Sequence, residues 1–430
     1  MLVAATILLL ALILVLLLKS NFLPGNIMAL APLIIALVIG TGFENTMVFM
    51  HTGISDVLVI AALFIFASIY FGVMSDAGLF EPVINALMKS KIIGKSVFSV
   101  VAVTAVIAMI THLDGQGLTT LMVTVPPMLI IFDKLKISRT LMALIFSTVV
   151  GSMNLLPWAG PVPRTAVVLN LDVMDIYWKI LPVHIIALLL SFVILYLASR
   201  AEQKRGEFIP ASDAGFGQLE VSDAEKALRR PKLFWVNMLI TVLLLASLFL
   251  GLPSYIIFLV ACAIVLPLNY RTVKEQNALI KRYAGNVLLN IYTIIGAGAL
   301  LGIMEGAGMF DALSKAIVSL IPESLGGSIH IILGVLVTPL SYLLNTDAMM
   351  YGIFPVVVNV AAEYGVPAIT TAAIFCVGRV VGTGLCLTTA SVYLGLGLMG
   401  ISYREGFKAC FKWTMILGTV LVLITAVIVR

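Results

Sequence analysis

Apolar runs long enough to cross a bilayer alternate along this chain with short polar connections, and two of the runs carry polar residues at their midpoints. A membrane helix needs about 20 apolar residues to span roughly 30 Å of hydrocarbon. On that rule crossings are expected near residues 2–18, 24–41, 55–75, 138–170, 178–199, 233–250, 254–268, 285–304, 367–400 and 408–429. The stretches 96–133 and 326–360 are interrupted, by HLDGQGLTT at 112–120 and by NTD at 345–347. Each reads as a re-entrant hairpin that enters and leaves on one side. Two crossings are broken as well, by NLLPWAGPVPR at 154–164 and GTGLCLTTAS at 382–391. Irregular backbone at membrane depth is tolerated only where protein or water covers it, because unmade hydrogen bonds in lipid are costly. The four interruptions therefore mark the candidate site.

The pattern also repeats. FGVMSDAGLF at 71–80 returns as LGIMEGAGMF at 301–310, so that Gly72, Met74, Ala77, Gly78 and Phe80 recur as Gly302, Met304, Ala307, Gly308 and Phe310. A spacing of 230 residues is too long for a solenoid. In so apolar a chain, two half-length copies point to a transporter with a site between related halves. Pro126 pairs with Pro355, and the segment from Leu171 with that from Ile401, so tip matches tip and break matches break. Five crossings and one hairpin per half is an odd number of passages, which makes the repeats inverted. With both termini outside, most of the 26 Lys and Arg gather in cytoplasmic segments, among them Lys89, Lys91, Lys95, Lys134, Lys136, Arg139, Arg271, Lys274 and the bases of 200–232. Residues 1–199 form the first repeat, 200–232 a cytoplasmic linker and 233–430 the second repeat. The linker reads as a tether, with a regulatory contact as the alternative. Residues 76–92 and 305–323 read as amphipathic helices lying along the interface.

Composition sets the class. Apolar residues make up 61% and charged residues 11% of the chain, and mean hydropathy is +1.14. Soluble domains run near about 45–50% and about 25%. The fold class expected is an all-α polytopic membrane protein. A net charge of +5 is no sign of nucleic acid here, because the placement of bases decides orientation. Cys262, Cys376, Cys386 and Cys410 lie in or beside apolar runs without metal or disulfide spacing, and read as small hydrophobes. Residues 2–18 lack the flanks of a signal peptide and read as a first membrane helix. The chain contains no GxxxxGK[ST], HExxH or GxSxG pattern, so neither an enzyme nor an ATP-driven pump is expected.

Helix N-termini converging on a break offer free N–H groups for a carboxylate, while loosened carbonyls and Asp or Asn oxygens suit a small cation. The candidate binding residues are Asp114, Gly115, Thr119 and Thr120 at the first tip, and Asn154, Trp158, Gly160 and Arg164 at the first break. Asn345 and Thr346 follow at the second tip, with Thr388, Thr389 and Ser391 at the second break. Arg164 follows three prolines and reads as a carboxylate clamp, with a snorkelling structural arginine as the alternative. Asp114, Asp347 and His112 are candidates for proton or cation coupling, against hairpin capping for the acids and a structural role for the histidine. Trp158 either walls the site or packs beside the prolines. Arg379 reads as a ligand or as one half of an ion pair or helix-end contact, and is left outside the set. His184 and His330 read as structural.

The run from Thr111 through Pro127 and Lys134, with GSMNLLPWAGPVPR at 151–164, resembles the citrate–metal–proton symporter family of the ion transporter superfamily. The resemblance extends over nearly the whole length. It implies uptake of citrate complexed with Mg²⁺ or Ca²⁺, driven by protons, with the metal carried alongside the substrate and not ligated by the protein. It implies a homodimer in the cell membrane and an elevator motion. Scaffold would be 1–95 and 233–325, and the moving part 96–199 and 326–430. Two segments depart from the family pattern: GTGLCLTTASVYL stands in place of a Ser-Pro-rich break, and NTDAMMYG is only partly like a Ser-Asn-Asp tip. A sodium-coupled di- or tricarboxylate carrier and a cation–proton antiporter of the same superfamily are alternatives, as is a channel.

Overall fold

The computed structural model describes residues 1–19, 22–88, 93–210, 227–320, 323–387 and 389–429, which form helices and connecting turns with no strand. Thr388, Lys89, Lys91 and residues 211–226 of the expected linker lie outside the described residues. The first half runs α1 (Leu2–Lys19), α2 (Pro24–Val38), α3 (Phe43–Asp76), α4 (Glu81–Met88), α5 (Val97–Thr111), α6 (Gly117–Lys134), α7 (Thr140–Met153), α8 (Val162–Leu169) and α9 (Val173–Gln203). The second half runs α10 (Phe234–Ser247), α11 (Ser254–Asn269), α12 (Val273–Gly306), α13 (Met309–Val318), α14 (Ile329–Leu340), α15 (Ala348–Glu363), α16 (Ala368–Val380), α17 (Ala390–Met399) and α18 (Tyr403–Ile428). Among the described residues, 7 helices are long and apolar enough to cross a membrane, and both arms of the first hairpin are among them.

Helices begin where caps allow rather than where the apolar runs begin. α3 starts at Phe43 and α12 at Val273, each about three turns before the crossing expected from hydropathy. The Thr272 hydroxyl and Glu275 carboxylate close a reciprocal capping box at the start of α12, which satisfies orphan N–H groups outside the apolar span. Ser402 and Glu405 do the same for α18, and Asp172 caps α9.

The repeated motif has a mechanical explanation. Gly78 and Gly308 take φ of 85° and 68°, so each copy ends its 34-residue helix in the left-handed turn that glycine adopts without strain. Gly302 meets Gly53 and Phe49 O, and Gly72 lies beneath the Tyr283 ring, whose hydroxyl donates to Gly72 O at 2.8 Å. Gly53 thus meets Gly302 near the far end of α12 while Gly72 meets Tyr283 near its start. The two helices therefore run antiparallel, at a distance only small residues permit.

α3 packs on α2, α11 and α12. The hairpins and broken helices pack largely on one another: α5 on α6 and α9, α14 and α18 on α16, and α17 on α6. A continuous apolar core joins the two sets.

Candidate functional site

The first tip is held by hydrogen bonds among its own residues. After α5 a short turn, His112–Asp114, leads to Gly115 at φ 72°. Asp114 Oδ1 accepts the Gln116 N–H at 2.8 Å, with Thr119 as a further partner. The Thr120 hydroxyl donates to Gln116 O at 3.0 Å, so it accepts from His112 Nδ1 at 2.8 Å. Asn154, at the first break, is the other polar neighbour of the His112 ring.

The break is written into the local sequence. α7 loosens into a π-helical turn at Phe146–Val150, and the prolines at 157, 161 and 163 remove N–H donors that a continuous helix would need. Gly160 turns at φ 50° over Asn154, where a Cβ would collide with Asn154 O at 2.6 Å. Trp158 Nε1 donates to Leu113 O at 2.8 Å and so pins tip to break. Its ring stacks on Phe71 of α3, centroids 4.9 Å apart, and meets Phe258 of α11 edge-on at 5.3 Å. The ring thus packs between the break, α3 and α11.

The second tip is charged. Asn345 Oδ1 caps the Ala348 N–H at 2.8 Å, leaving Asp347 for another use. Arg164 Nε donates to Asp347 Oδ1 at 2.6 Å, and Arg164 Nη1 to Gly160 O at 2.7 Å. That ion pair joins the first break to the second tip, across the halves. Arg379, at the end of α16 and buried, donates to Thr346 Oγ1 at 3.1 Å and Thr383 Oγ1 at 3.3 Å, bridging second tip and second break. The Leu387 N–H donates to Tyr342 O at 2.7 Å. Gly382 lies directly on the Ser341 side chain.

His112, Asn154, Trp158, Arg164, Thr346 and Asp347 thus reach between a tip and a break, while Asp114, Thr119, Thr120 and Asn345 bond within their own tips. Asn154 and Ser391 also line a cavity of about 160 Å³, together with Gly117, Thr383 and Gly384. Thr389 stands at the N-terminus of α17, and Thr388 lies outside the described residues. The expected set omits Arg379 and Thr383. Arg379 was the harder to place because it precedes its break by three residues within an uninterrupted apolar helix. The usable signal was its charge in apolar surroundings. Among the described residues no group of three or more His, Cys, Asp or Glu side chains lies together in a metal-binding arrangement.

The profile of the citrate transporter family matches residues 1–269. Over 95% of its length the chain is 33% identical to the citrate transporter of Bacillus subtilis (strain 168), covering 94% of that protein. The chain belongs to the citrate transporter family. A second relative in this family, the Mg(2+)/citrate complex secondary transporter of the same organism, is 32% identical over 93% of this chain and 92% of its own length. Among solved structures, the YdaH transporter of Alcanivorax borkumensis, described as having an unusual topology, superposes with a TM-score of 0.66. It covers 94% of this chain and 98% of its own, at 13% identity, which speaks for the fold alone. Membership of the citrate transporter family makes the chain a multi-pass membrane protein of the transporter class and not an enzyme.

Proposed function

We propose that the chain is a secondary active transporter that imports citrate as its complex with a divalent metal, Mg²⁺ or Ca²⁺, in symport with protons. One observation carries this reading: Arg164 from the first break and Asp347 from the second tip meet at 2.6 Å between the halves, with Arg379 beside the same tip. Charges of that kind within apolar helices are expensive and belong to substrate and ion pathways. The two Bacillus subtilis relatives support citrate and its magnesium complex as the cargo.

In this reading the substrate binds among the tips and breaks, beside the charged cluster of Arg164, Asp347 and Arg379, and its carboxylates meet a surplus cation there and the N–H groups at the starts of α8 and α17. Asp114 carries a coupling proton, while Asp347 stays ionised against Arg164. The inverted-repeat relation is supported by the antiparallel course of α3 and α12, helices that occupy the same place in their respective halves. An elevator division is supported by the packing of α2, α3, α11 and α12 mainly on one another, with smaller contacts to the first tip and to α8. The protein would work as a homodimer in the cell membrane with both termini outside.

The test is uptake of labelled citrate into proteoliposomes with Mg²⁺, Ca²⁺ or a chelator, under an imposed pH or sodium gradient. Metal-dependent, proton-driven uptake with counterflow is expected; uptake indifferent to metal and protons overturns the proposal. Asp114→Asn retains the acceptor that caps Gln116 and removes the charge. It is expected to keep the fold and lose stimulation by the pH gradient, and full stimulation in this variant would take Asp114 out of the proton path.

A further inference from the structure

Arg379 is among the largest fully buried side chains in the protein, at 1% exposure. A buried guanidinium normally faces a carboxylate, because an unpaired charge in a low-dielectric interior is strongly destabilising. Among the described residues Arg379 meets two hydroxyls, Thr346 Oγ1 at 3.1 Å and Thr383 Oγ1 at 3.3 Å, and its Nε has no hydrogen-bond partner. Among the described residues the carboxylate acting on it is that of Asp347, which Arg164 already engages at 2.6 Å. A second donor in this neighbourhood is equally unsatisfied. Tyr351 is 1% exposed, interacts with Arg164 and Asp347, and its hydroxyl has no partner among the described residues. Two cations therefore share one anion, with two buried donors left over. Unsatisfied buried donors in a native structure call for an explanation, and a bound acceptor supplies one.

Resting on the transport function proposed above, we infer that Arg379 is the charge-selecting residue of the site, and that with Tyr351 it receives the oxygen atoms of a substrate carrying a single net negative charge. Arg164 and Asp347 neutralise one another, so Arg379 sets the charge that the cargo must supply. Free citrate carries about three negative charges near neutral pH, and two or so would stay uncompensated at a buried site. Chelation of a divalent ion leaves about one, which matches the surplus on this cluster. The clamp expected at Arg164 is thus transferred to Arg379, while Arg164 holds the second tip in place.

The charge logic can be rewritten by substitution. Purified protein in nanodiscs is titrated with magnesium citrate, and with succinate as a metal-free dianion, and folding is checked by thermal melting. Arg379→Gln is expected to weaken magnesium citrate binding roughly a hundredfold, and Arg379→Lys to retain it within about tenfold. Asp347→Asn frees Arg164 and raises the surplus to two charges. It should shift preference towards succinate over magnesium citrate by about tenfold or more. Arg379→Gln combined with Asp347→Asn restores a single surplus charge on Arg164 and should recover much of the lost binding, which a purely structural Arg379 would not allow. Normal binding by Arg379→Gln, or an unchanged preference in Asp347→Asn, overturns the inference. Should Arg379→Gln fail to fold, the preference of Asp347→Asn decides, since that side chain is partly exposed. Wild-type protein that binds no magnesium citrate refutes the transport reading itself, an outcome distinct from wild-type binding with unaltered variants.

Discussion

The two hairpin tips perform the same task with different chemistry. In the first half, Leu113 O accepts from the Trp158 side chain at 2.8 Å; in the second, Tyr342 O accepts from the Leu387 backbone N–H at 2.7 Å. Donor and acceptor are both shifted by the same 229 residues, so a tip-to-break bond recurs in each half. The first tip is otherwise built from His112, Asp114, Thr120 and Asn154, joins no ion pair among the described residues, and is covered by aromatic packing against α3 and α11. The second carries Asp347, with Arg164 and Arg379 around it, and stays partly exposed. The tip-to-break bond is common to both halves, whereas among the described residues the ion pair belongs to the second tip. A tip that must recognise a charged ligand needs unpaired donors, whereas a tip that must seal does best with every donor satisfied.

The largest effect expected is for Arg164→Ala. It leaves Asp347 without its cation, at a cost of about 3–5 kcal/mol, and proteoliposome uptake should fall to background. Retained uptake would mean that the halves are not joined through this pair. Next comes Gly382→Ala, because a methyl there strikes Ser341 and the second tip has no slack. About 1–3 kcal/mol of lost stability is expected, seen as a lower melting temperature in detergent. Gly117→Ala, at the first tip, has open space at its Cβ position and should melt like wild type or slightly higher. Equal damage in both would remove the contrast.

A smaller effect is expected for Trp158→Phe, which keeps a ring against Phe71 and leaves Leu113 O unsatisfied. About 1–2 kcal/mol should be lost. The smallest is Leu387→Ala, where the donor is backbone and survives the change, so stability within about 0.5 kcal/mol of wild type is expected. Comparing the melting temperatures of this last pair sharpens the difference between a side-chain latch and a backbone one. A greater loss in Leu387→Ala than in Trp158→Phe would invert it.

Much of the fold was legible because a bilayer leaves few options. Interruptions in apolar runs had to be covered, and the structure sets the turns after α5 and α14 and the breaks before α8 and α17 at those interruptions. Helix ends were read less well. Hydropathy placed the start of α12 near residue 285, but Thr272 and Glu275 extend the helix to Val273 through capping, which carries no apolar signal. Among the acids, Asp114 and Asp347 looked alike in sequence, each flanked by polar residues within an apolar stretch. The first caps Gln116 and the second pairs with Arg164, a partner 183 residues away that no local pattern names.

By itself the sequence determined the class, the offset between the halves and the positions of the four interruptions. These follow from local quantities: transfer cost per residue, backbone donors removed by proline, and turns that only glycine takes freely. The tertiary structure decided which charges cancel. Whether an arginine is a clamp, a latch or a surplus cation depends on the distance to the nearest carboxylate, and that distance is set by how hairpin and broken helix pack across the two halves. Arg164 and Arg379 are the same residue type in similar apolar surroundings, and only the place of Asp347 tells them apart.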